Sequence, residues 1–228
     1  VEIWARVLNA SRIGIKDNFF ALGGDSILSI QVVSQARSRG FGLSTKAIFE
    51  HPTIEALALQ MVDEVQAIPQ RKSHGELTLL PIQRNFFRDN PQGLHHYHQS
   101  LIVCVPERFE PAFLTAFVAA VYERHDALRL RFEHRDGQWT GTYHPVTNAV
   151  IAASIVECNL GALPKPERQA HIARLGQSIK ESIDITRGPL LRAVFFRAAE
   201  VRHSRLLLVI HHLVVDGISW GVLLNDLE

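Results

Sequence analysis

Two short segments, far apart in the chain, carry side chains that could act together in one reaction. Residues 23–27 read Gly-Gly-Asp-Ser-Ile, and residues 211–217 read His-His-Leu-Val-Val-Asp-Gly. A serine at a helix start can carry a phosphate-linked group, because the helix N-terminus favours negative charge. Histidine titrates near neutral pH and suits proton transfer. The pair predicts an attachment point for a tethered arm and an acid/base site for chemistry on what the arm carries.

The first segment has two interpretations from its residues alone. Ser26 either helps to cap the helix that follows or bears a group on its hydroxyl. Asp25 can also cap that helix. Gly23 and Gly24 allow a tight backbone turn and leave the hydroxyl open to a modifying enzyme. The serine motif alone leaves both roles open.

The double histidine is similarly ambiguous. Successive side chains of a strand point to opposite faces, so His211 and His212 cannot enter one cavity while the strand stays regular. One of them is therefore expected to be structural and the other chemical, with Asp216 placed to bond a histidine or an arginine. The alternative is two hydrogen-bonded core histidines with a carboxylate that closes a turn.

The overall composition excludes several classes of function. The 228 residues carry 24 basic and 23 acidic side chains, a net charge of +1, which gives no reason to expect nucleic acid or an anionic membrane as partner. No apolar run approaches the roughly 18 residues of a membrane span. Cys104 and Cys158 are expected to be buried free thiols, consistent with a cytoplasmic protein. Nucleotide hydrolysis and Ser-His-Asp hydrolysis lack their motifs.

The chain divides into a helical leading segment and a mixed trailing one. Residues 67–75 have the polar, Pro- and Gly-containing composition of a linker. Residues 1–66 are expected to form a small four-helix bundle, with an opening helix, a helix after Asp25, a short helix around 46–49 and an amphipathic helix after Thr53. The apolar positions of that last helix run on to Met61, Val62 and Val65.

Residues 76–228 alternate between strand and helix periods and predict helices packed on a mixed sheet. The apolar run 206–210 is so continuous that both its faces must be covered. Residues 135–137, Arg-Asp-Gly, predict a hairpin turn. Strands are predicted at 101–105, 128–132, 139–143, 151–156, 190–196 and 206–210, and helices around 113–121, around 172–183 and from 218.

The wider window around Ser26 closely resembles the signature of peptidyl carrier domains in nonribosomal peptide synthetases. Residues 17–27 read DNFFALGGDSI, and residues 49–53, FEHPT, precede the last predicted helix. The resemblance extends from about Val1 to Val65. It implies that Ser26 bears 4′-phosphopantetheine, added by a phosphopantetheinyl transferase, and that an aminoacyl or peptidyl thioester is carried on its thiol.

The trailing segment resembles the condensation-domain superfamily. Residues 211–217 match its HHxxxDG motif, and RHDALR at 124–129 and LPIQ at 80–83 resemble two further motifs. The resemblance implies a chloramphenicol-acetyltransferase-like fold whose two lobes face each other across a tunnel, of which residues 76–228 form an α/β two-layer N-terminal lobe. It also implies that His212 is the acid/base residue, with His211 and Asp216 mainly holding the loop.

Within that superfamily, the flanking residues look most like epimerization domains. The residues concerned are ISW at 218–220, LLNDL at 223–227, PIQRNFF at 81–87 and HHYHQS at 95–100. Gly221 is a departure, because epimerization domains often carry arginine there. The expected reaction inverts the α-carbon of the thioester by proton exchange, and the resemblance places a second group, a glutamate, in a C-terminal lobe. We therefore expect residues 1–228 alone to be inactive.

Two alternatives remain open at this stage. The trailing segment could be a condensation domain, in which His212 positions an amine for peptide-bond formation, or a non-catalytic docking module that recruits a carrier. In every case the expected neighbours are adenylation and condensation domains of the same synthetase. His95, His96 and His98 lack the spacing of a zinc site, so no metal is predicted, and they are expected to line a surface or the substrate entrance.

Overall fold

The computed structural model describes residues 1–60, 72–90, 92–105, 109–198 and 204–225. They fall into two compact units, one of residues 1–60 together with Gly217–Asn225 and one of residues 72–216. The predicted domain limits, 1–66 and 76–228 with a linker at 67–75, therefore stay predictions, since residues 61–71 lie outside the described residues. The predicted apolar positions Met61, Val62 and Val65 lie there too.

Residues 1–60 contain four α-helices, as the periodicity predicted. Three of the helix starts have a side-chain cap: Asp25 accepts from the Leu28 N–H at 2.8 Å, and Ser44 and Thr53 cap the third and fourth helices in the same way. The predicted caps Asp25 and Thr53 are thus confirmed. The helices are α1 (Glu2–Val7), α2 (Ser26–Ser38), α3 (Thr45–Glu50) and α4 (Ile54–Ala58).

The helices of this first unit enclose an apolar core around Phe19, which is completely buried. The Phe19 ring meets Trp4 edge to face with 4.9 Å between ring centroids. Its backbone N–H donates to Pro52 O at 2.8 Å, which ties the loop before α2 to the start of α4. The other core residues are Val32, Val33, Ala36, Leu43, Ile48 and Leu57.

The second unit has two sheets, one of them mixed as predicted. In the four-stranded sheet the order is β2-β7-β6-β5, with β5 and β6 parallel and the other pairs antiparallel. The three-stranded sheet has the order β1-β4-β3 and is antiparallel. The elements are β1 (Gly75–Leu77), α5 (Pro81–Asp89), β2 (His98–Cys104), α6 (Pro111–Arg124), β3 (Leu130–Arg135), β4 (Gln138–Tyr143), α7 (Asn148–Ser154), β5 (Ile155–Asn159), α8 (Lys165–Glu181), β6 (Leu191–Arg197) and β7 (Arg205–His211), and α9 (Gly217–Asn225) follows.

Strand β7 lies in the middle of its sheet and is covered on both faces, which confirms the expectation from its continuous apolar run. Leu207 and Val209 join a core cluster that includes Ile179 of α8. Leu206, Leu208 and Ile210, the alternate residues, are also buried. Strand β7 is buried on both faces and hydrogen-bonded to a neighbouring strand along both edges. Its C-terminal end is therefore a rigid place from which to present a side chain.

The prediction of a strand at 151–156 was wrong in its first part. Residues Asn148–Ser154 form the helix α7, because Thr147 caps it by accepting from the Val150 N–H at 3.2 Å. The strand β5 begins only at Ile155. A run of Ala, Val and Ile fits either state, and the cap was the signal that should have decided between them.

Further predictions concern the start of β3, the hairpin turn, the two cysteines and membrane-spanning helices. Leu128 and Arg129 lie in a 3₁₀ turn, so β3 begins at Leu130 rather than at 128. The predicted hairpin turn is confirmed, with positive φ at Asp136 and Gly137. Cys158 is buried and free as expected, whereas Cys104 is exposed at the end of β2. Among the described residues, no helix combines the length and apolar character needed to cross a bilayer.

Candidate functional site

The double histidine lies where β7 ends. His211 is the last residue of the strand, and His212 lies in the turn that follows it, before α9 begins at Gly217. The strand-alternation argument therefore applies to His211 but not to His212. The backbone N–H of His212 donates to Tyr97 O at 2.8 Å, so the turn continues to be held by the chain that leads into β2.

His211 is completely buried and both of its ring nitrogens are engaged within the protein. Nδ1 accepts from the Leu213 N–H at 3.2 Å, so the proton of the neutral ring lies on Nε2, which donates to Leu94 O at 2.7 Å. Burial, the largest cause, lowers the pKa of His211 from 6.5 to about 4. His211 is thus a neutral side chain at physiological pH that joins the loop to the turn before β2.

His212 is partly exposed and has the opposite tautomer. Its Nδ1 lies 2.8 Å from Val215 O, and because a carbonyl only accepts, Nδ1 carries the proton. The single lone pair of the neutral ring is therefore on Nε2, which lies 2.8 Å from the side-chain nitrogen of Gln99. Of the two adjacent histidines, His212 is the one whose geometry leaves a basic nitrogen at a partly accessible position.

An aromatic stack fixes the plane of the His212 ring. Tyr97 lies parallel to the imidazole, with 4.6 Å between ring centroids and 9° between planes. Phe86 of α5 stacks on Tyr97 in turn, at 4.9 Å and 24°. Because each ring restricts the next, the imidazole of His212 is held in one orientation before any substrate arrives.

The loop after β7 is also bonded to the start of α5. Gln83, which is buried, donates from Nε2 to Leu213 O at 3.1 Å and accepts from the Leu80 N–H at 3.0 Å. One amide side chain thus satisfies a backbone carbonyl of the loop and a backbone N–H at the helix start. Asp216 is exposed at the end of the same loop, and the role in holding the loop that its motif implies stays a prediction.

Ser26 belongs to the other unit, where it is the first residue of α2. The backbone before Ser26 favours glycine at two positions. Gly23 has a φ of +92°, and a Cβ on Gly24 would lie 2.5 Å from the Phe19 ring. Asp25 caps the helix, so Ser26 is not needed for that role. A 13-residue helix that begins at this serine presents the positive end of its dipole there, which fits a phosphate-linked group on residue 26.

Of the three histidines at 95, 96 and 98, His95 has a hydrogen bond to the backbone of the same unit. His95 Nδ1 accepts from the Ile185 N–H at 3.1 Å. Within the described ranges, no group of three His, Cys, Asp or Glu side chains is arranged to hold a metal ion. His95 also has an acidic neighbour, Asp184, with 3.7 Å between Nδ1 and Oδ1.

Sequence reasoning did not find the partners that give His212 its tautomer and orientation. These are the Val215 carbonyl, the Tyr97 ring and the Gln99 amide, of which two lie in the HHYHQS segment that was noted only for its resemblance. The missing information was the strand register, which pairs His98 with His211 and Gln99 with Ile210. An isolated polar residue in an edge strand gives no signal of that pairing in the sequence.

Comparison with protein families agrees with this division of the chain. A model of the condensation domain matches residues 73–228, and a model of the phosphopantetheine attachment site matches residues 1–60. A linear gramicidin synthase of Brevibacillus parabrevis is 43% identical over the whole chain, which spans 4% of that protein. A surfactin synthase of Bacillus subtilis (strain 168) is 38% identical over 98% of the chain and 6% of its own length.

Solved structures are similar to the trailing part. The epimerization domain from the third module of tyrocidine synthetase B aligns with a TM-score of 0.61 and 32% identity, over 70% of this chain and 35% of that one. The starter condensation domain of rhizomide synthetase RzmA aligns with a TM-score of 0.54 and 20% identity, over 66% of this chain and 36% of its own, a likeness of fold. The chain therefore belongs to the condensation-domain family, and a carrier domain with a 4′-phosphopantetheine attachment site precedes that domain, as in nonribosomal peptide synthetases.

Proposed function

We propose that the chain is a four-helix carrier bundle followed by the N-terminal lobe, of chloramphenicol-acetyltransferase-like fold, of an epimerization domain. The support for the subtype is the solved epimerization domain, which matches with a higher TM-score and identity than the starter condensation domain, 0.61 and 32% against 0.54 and 20%. The reaction would convert the α-carbon of an aminoacyl or peptidyl thioester from the L to the D configuration.

The observation that carries this proposal is the geometry of His212. Its Nδ1–H donates to Val215 O, its plane is fixed against Tyr97, and its Nε2 lone pair faces the side-chain nitrogen of Gln99 in a residue that is partly exposed. A neutral imidazole with one oriented lone pair is what a general base requires. His211 is less suited to such a role, because it is completely buried and both of its ring nitrogens bond backbone groups, whereas His212 is partly exposed and its Nε2 bonds a side chain.

The proton chemistry follows from that arrangement. The carbonyl of a thioester acidifies the neighbouring α-hydrogen, and His212 Nε2 would accept that proton as the Cα–H bond breaks. The electron pair left at Cα is delocalised into the carbonyl, and a proton returned from the opposite face gives the other configuration. The Val215 carbonyl stabilises the imidazolium, because it already accepts the Nδ1–H bond that strengthens when the ring becomes charged.

Ser26 would hold the 4′-phosphopantetheine through a phosphodiester at the start of α2, after attachment by a phosphopantetheinyl transferase. When bound, this group supplies a terminal thiol to which the acyl group of the substrate is joined as a thioester. Asp25 caps the helix and the glycines before it shape the turn, so these neighbours position the attachment point. Adjacent adenylation and condensation domains would be the partners that load and consume the substrate.

A second candidate is peptide-bond formation. The specific observation in its favour is that the matching family model is that of the condensation domain and that starter condensation domains share the fold. In that reaction His212 would position an amine that attacks a thioester, and the configuration of the α-carbon would not change. The third possibility, a docking module without catalysis, predicts that His212 can be replaced without loss of activity.

The chirality of the product distinguishes these functions. In the synthetase that contains this chain, loaded with the L-amino acid, we expect the wild type to release a mixture enriched in D and the His212→Gln variant to retain only L. His134→Gln, a change of an exposed histidine in β3, is the matched control and should behave as wild type. A product that stays L in the wild type would favour condensation, and full D-product from His212→Gln would favour a docking role.

A further inference from the structure

The basic nitrogen of His212 already has a partner in the protein. Since Nδ1 donates to Val215 O, the lone pair that can bind a proton is the one on Nε2. That lone pair faces the side-chain amide nitrogen of Gln99 at 2.8 Å. An amide nitrogen only donates, so in the neutral state Gln99 N–H points at the nitrogen that would receive the substrate's proton.

Strand pairing places Gln99 there. Gln99 is the second residue of β2 and pairs with Ile210, next to the pair formed by His98 and His211. The residue before β2, Tyr97, contacts the same imidazole with its ring and accepts the His212 backbone N–H with its carbonyl. The start of β2 thus holds His212 in three ways, through backbone, ring plane and ring nitrogen.

These contacts restrict different motions of the ring. Stacking on Tyr97 fixes the plane of the imidazole but allows it to turn within that plane. The bonds to Val215 O and to Gln99 oppose that turning, since they hold the ring at two different nitrogens. Removal of the Gln99 amide would therefore leave the basic nitrogen less well aimed, although the plane would still be fixed.

We propose that Gln99 is a positioning residue for His212, whose side-chain amide serves both protonation states of the ring. This inference rests on the proposed role of His212 as the base. In the neutral resting state Gln99 donates from its nitrogen to the Nε2 lone pair, and because Nε2 has only one lone pair, this hydrogen bond breaks as the α-hydrogen of the substrate takes its place. When Nε2 takes the substrate's proton it becomes a donor, and a half-turn of the amide group presents Gln99 Oε1 as the acceptor, because the two ends of an amide have nearly the same shape.

An amide offers both functions at this position, whereas a carboxylate or an aliphatic side chain does not. A carboxylate accepts but does not donate, so Gln99→Glu would hold the protonated ring and oppose its return to the neutral form. A leucine of similar size does neither, so Gln99→Leu would leave Nε2 without this partner. The two variants therefore separate the hydrogen-bonding role from a role in packing.

Nuclear magnetic resonance of the 228-residue chain labelled with [¹⁵N]histidine reads these states directly. We expect the neutral His212 ring of the wild type to carry its proton at Nδ1, and Gln99→Glu to have a larger fraction of rings with protons on both nitrogens than the wild type at the same pH. In Gln99→Leu we expect the Nε2 signal to move downfield, because its lone pair loses a donor. His211 should keep its Nε2 proton throughout, which reports that each variant is folded, and Gln177→Leu on the exposed face of α8 is the matched control.

Either of two results would overturn the inference: a wild-type His212 with its proton on Nε2, or a Gln99→Glu variant with the wild-type ring spectrum. In the synthetase that contains this chain we further expect Gln99→Leu to lower kcat about tenfold with KM unchanged, because supporting partners act through the group they hold. If His212→Gln stays active, the proposed function fails while the spectra still test Gln99. If His212→Gln is inactive and Gln99→Leu keeps full kcat, the positioning role of Gln99 alone is contradicted.

Discussion

The two histidines at the end of β7 differ in what their ring nitrogens can do. His211 donates from Nε2 to Leu94 O and accepts at Nδ1 from the Leu213 N–H, so both of its partners are backbone groups. His212 donates from Nδ1 to Val215 O and keeps its lone pair on Nε2. The same side chain thus has opposite tautomers at adjacent positions, and this difference separates a structural residue from a candidate base.

His211 should make the stability of the chain depend on pH. Its pKa falls from 6.5 in the unfolded chain to about 4 in the folded one, because burial opposes the charged form. Below pH 6.5 His211 therefore binds a proton in the unfolded chain but not in the folded chain. The free energy of unfolding declines as the pH falls to about 4. We expect the free energy of unfolding to fall by up to roughly 3 kcal/mol across that window in equilibrium denaturation.

The control for this prediction removes the titrating group. His211→Gln should flatten the dependence of stability on pH between 6.5 and 4, whereas His134→Gln, at an exposed site, should leave it unchanged. Asp184 affects stability only at lower pH. Hydrogen bonds from Thr186 and Arg187 outweigh the effect of burial and hold its pKa well below 3.8. A wild type and a His211→Gln variant with the same pH dependence would contradict the assignment.

The loop after β7 is held by three elements in addition to the bonds among its own residues. Strand β7 anchors its start, the segment that leads into β2 bonds and stacks on His212, and α5 reaches Leu213 through Gln83. Each of these elements has a buried face in the same unit, so the contacts with the core restrict the conformation of the loop. The site is therefore a property of the strand and helix arrangement, not of the motif alone.

Gln83 offers a direct test of that support. We expect Gln83→Leu to lower the free energy of unfolding by about 2 kcal/mol, because the buried Leu213 carbonyl and the Leu80 N–H both lose their partner. Arg84→Leu, on the exposed side of the same helix, is the matched control and should change stability little. Chemical denaturation measures both, and equal stability of the two variants would show that the amide does not hold the loop.

Local signals predicted most elements, and tertiary pairing explains the rest. Asp25 and Thr53 marked helix starts, and the Asp136–Gly137 pair marked a hairpin, because caps and turns depend on neighbouring residues. Thr147 carried the same kind of signal for α7 and was overlooked. The partnership of Gln99 with His212 could not be read from the sequence, since it depends on which strands pair and in which register.

At the scale of the whole molecule, the proposed attachment point and the proposed acid/base residue belong to different units. Ser26 begins a helix in the unit of residues 1–60, whereas His211, His212 and Asp216 lie in the unit of residues 72–216. The two family models match residues 1–60 and 73–228, so they agree with the two units except for α9, which the condensation-domain model includes. A covalent arm explains why one polypeptide would carry both, because the arm raises the effective concentration of the substrate at the second unit.

This organisation predicts a single site of modification. Incubation of the chain with coenzyme A and a phosphopantetheinyl transferase should increase its mass by one phosphopantetheine, and peptide mapping should place the group on residue 26. Ser26→Ala should gain no mass, and Ser34→Ala, a change within the same helix, should be modified like the wild type. A Ser26→Ala chain that still becomes heavier would place the attachment elsewhere.

The most direct test of the proposed chemistry is exchange of the substrate's α-proton with solvent. In the synthetase that contains this chain, with a loaded amino acid in deuterium oxide, mass spectrometry of the released product measures deuterium at the α-carbon. We predict rapid incorporation in the wild type and a rate at least about a hundredfold lower in His212→Gln, the contribution expected of a general base. Incorporation at the wild-type rate in His212→Gln would contradict the assignment of His212 as the residue that moves the proton.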